Sequence, residues 1–174
     1  YANCGLPYYI GGVIEDRDRL FVQTPMTFGK RFNIDVRVRS EVVNIDTKKK
    51  TVCVVTSDGK KYTEEYDKLL LSPGALPVRP PIPGIDSEGI FTLRNVADTD
   101  RIKQYIDTHS VKHAVIVGGG FIGLEMAENL HNLGTQVAVV EMANQVMGPI
   151  DFSMASLVHQ HLIDKGIKLY LEQT

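Results

Sequence analysis

The chain has 174 residues, room for one sizeable domain or two small ones. Hydrophobic residues make up 43%, charged residues 23%, and the formal net charge is −2, so nothing in the balance points to nucleic acid, and no apolar run approaches the roughly 20 residues that span a bilayer. Two cysteines are too few for a disulfide framework and fit a reducing compartment; with no secretory signal pattern at the start, a cytoplasmic location is expected.

Tyr1-Ala2-Asn3-Cys4 is not a natural initiation sequence, which predicts residues upstream. Cys4 to Ile14 reads as a short helical segment, with Pro7 suited to a first turn and Gly11-Gly12 limiting the run. From Ile34 the pattern turns to period two: Ile34, Val36 and Val38 alternate with Asp35, Arg37 and Arg39, and Val42, Val43 and Ile45 continue strand-like. Lys48-Lys49-Lys50 is a solvated turn, Thr51 to Thr56 a β-branched strand, Asp58-Gly59 a hairpin signal, and Lys61 to Tyr66 the return, giving a small β-meander. Leu69-Leu70-Leu71 is expected as a short buried strand ending at Ser72-Pro73-Gly74. Pro77, Pro80, Pro81 and Pro83 then exclude helix and central strand and predict a stiff crossing. Asn95 to Thr108 reads as a helix.

Beyond His113 the pattern is β-α-β-α-β: strand Ala114 to Val117, helix Ile122 to Leu133 stopped by Gly134, strand Val137 to Val140, a helix capped by Asp151 or Ser153 and closed by Gly166, then a strand from Lys168. That is one mononucleotide-binding half of a Rossmann sheet. Its first turn is Gly118-Gly119-Gly120-Phe121-Ile122-Gly123. Gly118 permits the tight turn, Gly120 lets backbone approach a pyrophosphate, and Gly123 allows close helix–strand packing. Phosphates would rest on the helix N-terminus. Glu141 lies 18 residues past Gly123 (141 − 123) at the end of the second strand, where an acid hydrogen-bonds a ribose 2′-hydroxyl. With no arginine beside it, NADH is expected over NADPH, though NADPH is possible. The histidines form no metal pattern; His159 and His161 are two apart and point to different sides of a helix.

Cys4 opens a helical segment, a position that favours thiolate. Cys53, between valines, reads as a small core hydrophobe. A dithiol motif starting at Cys4 would need cysteine at Pro7 or Tyr9, and a C-x-x-C ending there would need it at Tyr1; a C-x4-C partner upstream stays open.

The segment Asn3-Cys4-Gly5-Leu6-Pro7-Tyr8-Tyr9-Ile10-Gly11-Gly12 closely resembles the active-site segment of coenzyme A disulfide reductases, the single-cysteine branch of the FAD-dependent pyridine nucleotide–disulfide oxidoreductases. Similarity extends through Ser72-Pro73-Gly74-Ala75, Pro81-Ile82-Pro83-Gly84 and Gly118 to Leu130. The resemblance implies that Cys4 cycles between thiolate and a mixed disulfide. It also implies that Asn3 and Arg37 contact coenzyme A, with basic residues such as Arg37 on its phosphates, and that Val42, Ser72 and Gly74 lie near FAD. Gly118, Gly120, Ile122, Gly123 and Glu141 are then the nicotinamide-nucleotide residues; Phe121 covers the flavin and Glu125 lies near the nicotinamide. The expected fold class is α/β: part of an FAD-binding domain with a β-meander (1–110), then the first half of a Rossmann-like NAD-binding domain (111–174). The expected function is passage of hydride from NADH to FAD and reduction of a small-molecule disulfide. Alternatives are an NADH oxidase, peroxidase or polysulfide reductase of the same family, or an electron-transfer flavoprotein reductase. The family's dimerisation domain is absent, so the fragment is expected to be inactive alone, and the complete protein a homodimer with no membrane or nucleic-acid partner.

Overall fold

The computed structural model describes residues 1–173. By contacts the chain forms two compact units, one made of Tyr1–Val22 with Leu76–Thr174, the other of Gln23–Ala75.

In the first unit a 3-10 turn over Asn3–Gly5 runs into helix α1 (Leu6–Ile10), with Pro7 in the first turn where its missing N–H costs nothing. Helix α3 (Val96–His109) starts at a reciprocal cap: Asn95 accepts from the Asp98 N–H, and the Asp98 carboxylate accepts from the Asn95 N–H. Strands β4 (His113–Val117), β5 (Gln136–Val140) and β6 (Lys168–Tyr170) form a parallel sheet in that order, joined by α4 (Phe121–Asn132) and α5 (Phe152–Asp164). This is the expected Rossmann-like half. Its core joins Met126, Ala127 and Leu130 of α4, Val137 and Val139 of β5, Leu162 of α5, and Ile10 of α1. The cysteine-bearing segment thus shares a core with the nucleotide fold. Asp151 occupies the N-cap position of α5, but its side chain makes no cap hydrogen bond.

The second unit holds helix α2 (Pro25–Phe32) and the antiparallel meander β1 (Ser40–Asp46), β2 (Thr51–Thr56), β3 (Lys61–Glu65). The lysine turn is held by Asp46, whose carboxylate accepts from the Lys48 and Lys49 N–H groups. Register slips between Val42 and Asn44, leaving Val43 as the extra residue of a bulge.

Two expected strands do not form. Residues 34–38 alternate as read, but they are outside any ladder; β1 begins only at Ser40, after Arg39 turns through φ 52°. Alternation specifies two faces, and without a partner for its N–H and C=O groups it does not make a strand. Leu69-Leu70-Leu71 is irregular and exposed, Leu70 by 88%, because no neighbouring strand among the described residues pairs with it. Helix α2 is an element the sequence reading lacked. Its signal is local: Thr24 caps the Thr27 N–H, Thr27 caps back, and Pro25 stands in the first turn.

Candidate functional site

The glycine turn after β4 has one purpose per residue. Gly118 has φ 105°, a conformation L side chains rarely adopt, and its N–H donates to the Val140 carbonyl at 2.8 Å. Gly120 caps α4 with open space where a Cβ would stand. A Cβ on Gly123 would run into the Gly118 carbonyl oxygen and come within 3.1 Å of Ile116 Cγ2. The tight turn at Gly118 and the close packing at Gly123 are the geometry the sequence reading expected. The middle glycine is a role that reading left unassigned: a Cβ on Gly119 would stand 2.7 Å from Val146 Cγ1.

Glu141 sits one residue beyond β5, beside this turn. Its Oε2 accepts from the Gly119 N–H at 2.6 Å and its Oε1 from the Ala143 N–H at 2.8 Å. These two amides, Ala143 first, hold the carboxyl below its ordinary range against the opposing effect of burial. Each oxygen keeps acceptor capacity for a ribose hydroxyl. The segment after β5 closes over the same turn: Val146 is fully buried, and the Met147 N–H donates to the Gly119 carbonyl at 2.8 Å. From α5, His159 Nε2 accepts the Val146 N–H at 3.1 Å.

Phe121 and Ile122 are exposed at the start of α4, and Glu125 is half-buried one turn on, its carbonyl accepting from Asn129 Nδ2 at 2.8 Å. Asn129 is buried, and its Oδ1 has no hydrogen-bond partner; it faces Gly11, the C-cap of α1.

The Cys4 thiol is exposed in the turn leading into α1. That helix has only five residues, so its dipole is short. Asn3 next to it accepts at Oδ1 from Arg94 Nη1 at 3.4 Å. Cys53 is half-buried in β2.

In the other unit, Arg37 is engaged on every side of its guanidinium: Nη1 to Glu64 at 2.6 Å, Nε to Asp35 at 2.7 Å, and the Tyr62 hydroxyl at 3.4 Å. The Glu64 and Tyr62 hydrogen bonds, with Asp35, raise its pKa further. Val42 lies exposed on β1, and Ser72 and Gly74 lie in the exposed irregular stretch, Gly74 at φ 76°. No group of His, Cys, Asp and Glu among the described residues could hold a metal ion, and no described helix is long and apolar enough to cross a membrane.

A strand, a glycine turn, a helix and an acid at the end of the next parallel strand define a Rossmann-like dinucleotide-binding fold. The chain belongs to the pyridine nucleotide-disulphide oxidoreductase family, whose profile matches residues 1–174. It is 40% identical over 174 residues to the coenzyme A disulfide reductase of Staphylococcus haemolyticus, covering 99% of this chain and 39% of that one. It is 38% identical, with the same coverage, to an NADH oxidase of Methanocaldococcus jannaschii. The crystal structure of reduced Bacillus anthracis CoADR-RHD superimposes with a TM-score of 0.93 at 55% identity, over 99% of this chain and 31% of that one. The chain thus spans about 39% of the length of these curated relatives.

Proposed function

We propose that the protein containing this chain is an NADH-dependent flavoprotein that reduces a small-molecule disulfide, coenzyme A disulfide first among them, through the single cysteine Cys4. The observation that carries this reading is the exposed Cys4 thiol at the head of a helix whose end, Ile10, is built into the core of the nucleotide fold. Residues 1–110 then belong with an FAD-binding domain and 111–174 with the NAD-binding domain.

The chain's residues suit the nucleotide. The open face at Gly120 leaves the α4 N-terminus free for a pyrophosphate. Glu141, fixed by two amides, faces a ribose 2′-hydroxyl with acceptors and would repel a 2′-phosphate, favouring NADH over NADPH. Val42, Ser72 and Gly74 stand on the flavin side of this reading, Phe121 and Glu125 on the nicotinamide side. FAD, when bound, supplies the two-electron relay between nicotinamide and disulfide. The Cys4 thiolate attacks one sulfur of the substrate disulfide; the other leaves as a thiolate, and Cys4 holds the first as a mixed disulfide. Two electrons and a proton cleave that bond, releasing the second thiol and restoring the Cys4 thiolate. Asn3 borders the cysteine. Arg37 must exchange Asp35 or Glu64 for a phosphate before it can bind coenzyme A.

A second reading is favoured by the NADH oxidase relative: Cys4 passing through a sulfenic acid with oxygen or peroxide as acceptor. In the complete protein, Cys4→Ser should abolish turnover of coenzyme A disulfide, a loss of at least about a thousandfold, while NADH still bleaches the flavin at close to the wild-type rate. Full disulfide turnover by Cys4→Ser would refute the single-cysteine reading. Wild-type preference for oxygen or peroxide over coenzyme A disulfide would favour the second.

A further inference from the structure

The turn that would hold the pyrophosphate is supported from behind by the segment 145–147. Two contacts fasten that segment to Gly119: the Val146 side chain packs where a Cβ would stand, and the Met147 N–H donates to the Gly119 carbonyl at 2.8 Å; the Gly119 N–H is taken by Glu141 at 2.6 Å. Val146 is fully buried, so its N–H must be paired within the protein. The partner is no backbone carbonyl. It is Nε2 of His159, half-buried on α5 thirteen residues away, at 3.1 Å. Accepting there requires the ring proton on Nδ1. The Phe152 ring stands edge-on to the imidazole at 6.2 Å between centroids, and Gln145 Nε2 ties the start of the segment to the Ile150 carbonyl at 2.8 Å.

We propose that His159 is a positioning residue for dinucleotide binding: by accepting the Val146 N–H it seats segment 145–147 against Gly119 and sets the shape of the glycine turn. The proposal rests on the reading of that turn as the NADH site. His159 itself lies on α5, outside the turn and outside the Gly-Glu141 hydrogen bonds, and acts through Val146. A leucine at 159 keeps apolar bulk beside Phe152 but offers no acceptor. The Val146 amide then loses its partner, and the turn loosens where it should be preorganised. A glutamine at 159 carries a carbonyl oxygen near the position of Nε2 and can accept the same N–H.

The test uses the complete holoenzyme. His159→Leu should raise the KM and directly titrated Kd for NADH about five- to tenfold, the scale of one hydrogen bond, with kcat at saturating NADH within about twofold. His159→Gln should restore both. Hydrogen exchange on the wild-type protein should find the Val146 amide protected, and the exposed Gly148 amide not. An unchanged Kd in the leucine variant, a kcat loss without a KM change, or a failure of glutamine to rescue would overturn the proposal. Should the leucine variant not fold, the glutamine variant and the wild-type Val146 exchange decide: exchange as fast as Gly148 overturns it. A wild-type enzyme that binds no NADH sinks the nucleotide reading and the proposal with it; NADH binding indifferent to position 159 sinks the proposal alone.

Discussion

Gly120 and Gly123 differ by three positions and should fail in opposite ways. A methyl on Gly120 meets nothing and the backbone there is at φ −79°, which any residue adopts. A methyl on Gly123 meets the Gly118 carbonyl, which is backbone and cannot swing aside. In the complete protein, Gly120→Ala should leave the urea midpoint unchanged yet weaken NADH binding by about tenfold or more, since it fills the space a pyrophosphate needs. Gly123→Ala should lose stability, by about 1–3 kcal/mol or more, as overpacking does. Equal stability losses in both would show that the open face of Gly120 is not a ligand face. Glu141 gives a second test at this scale. Its folded carboxyl is depressed below the ordinary value of 4.5 by the Ala143 and Gly119 amides. Its stabilising contribution is therefore complete above 4.5 and disappears as pH falls through the lower folded value. Urea midpoints of wild type and Glu141→Gln should differ at pH 7 and converge toward pH 3; a gap that stays constant across that range would refute the assignment.

At the scale of elements, the contact between α1 and α4 matters most, because it joins the cysteine segment to the nucleotide helix. The approach depends on Gly11 having no side chain: a Cβ there would stand 2.8 Å from Asn129 Cβ and closer still to its Oδ1. Gly11→Ala should destabilise the complete protein by about 1–3 kcal/mol, and Asn129→Ala in that background should recover most of it. Recovery absent from the double variant would place the strain elsewhere. Elements with local signals were legible in the sequence. The Asn95 cap of α3, the Asp58-Gly59 turn between β2 and β3, and the three-glycine turn before α4 each carry their instructions within a few residues. Residues 34–38 and Leu69-Leu70-Leu71 were misread because strand formation is a property of pairs, and period and apolarity describe only one member. The short helix α2 was missed although its Thr24–Thr27 cap is as local as any; Phe28 and Phe32 lie one turn apart on it, but eight residues are too few for that pair to establish a helical period. The support behind the glycine turn was invisible for another reason. A histidine accepting a backbone N–H has no spacing rule, so the sequence reading of His159 stops at the absence of a metal pattern with His161.

At the scale of the whole molecule, two of the stretches that carry the family resemblance, Asn3–Gly12 and Gly118–Leu130, lie over a hundred residues apart and meet in one core through Ile10, Met126 and Leu130. The order of packing was not legible. A reading along the chain divides it once, near residue 110, while contacts gather Tyr1–Val22 with Leu76–Thr174 and leave Gln23–Ala75 as an insert between them.

That insertion has a consequence for how the polypeptide is born. The pairings of β1, β2 and β3 all fall between residues 40 and 65, so they can close as soon as that stretch leaves the ribosome. The cysteine segment emerges earlier but must wait longer. Leu6 can settle on Leu20 early, but Ile10 joins its core only when Ile102, Met126 and Leu130 are made. A nascent chain halted before Leu130 therefore presents the Cys4 sulfur on a helix that the nucleotide fold does not yet steady.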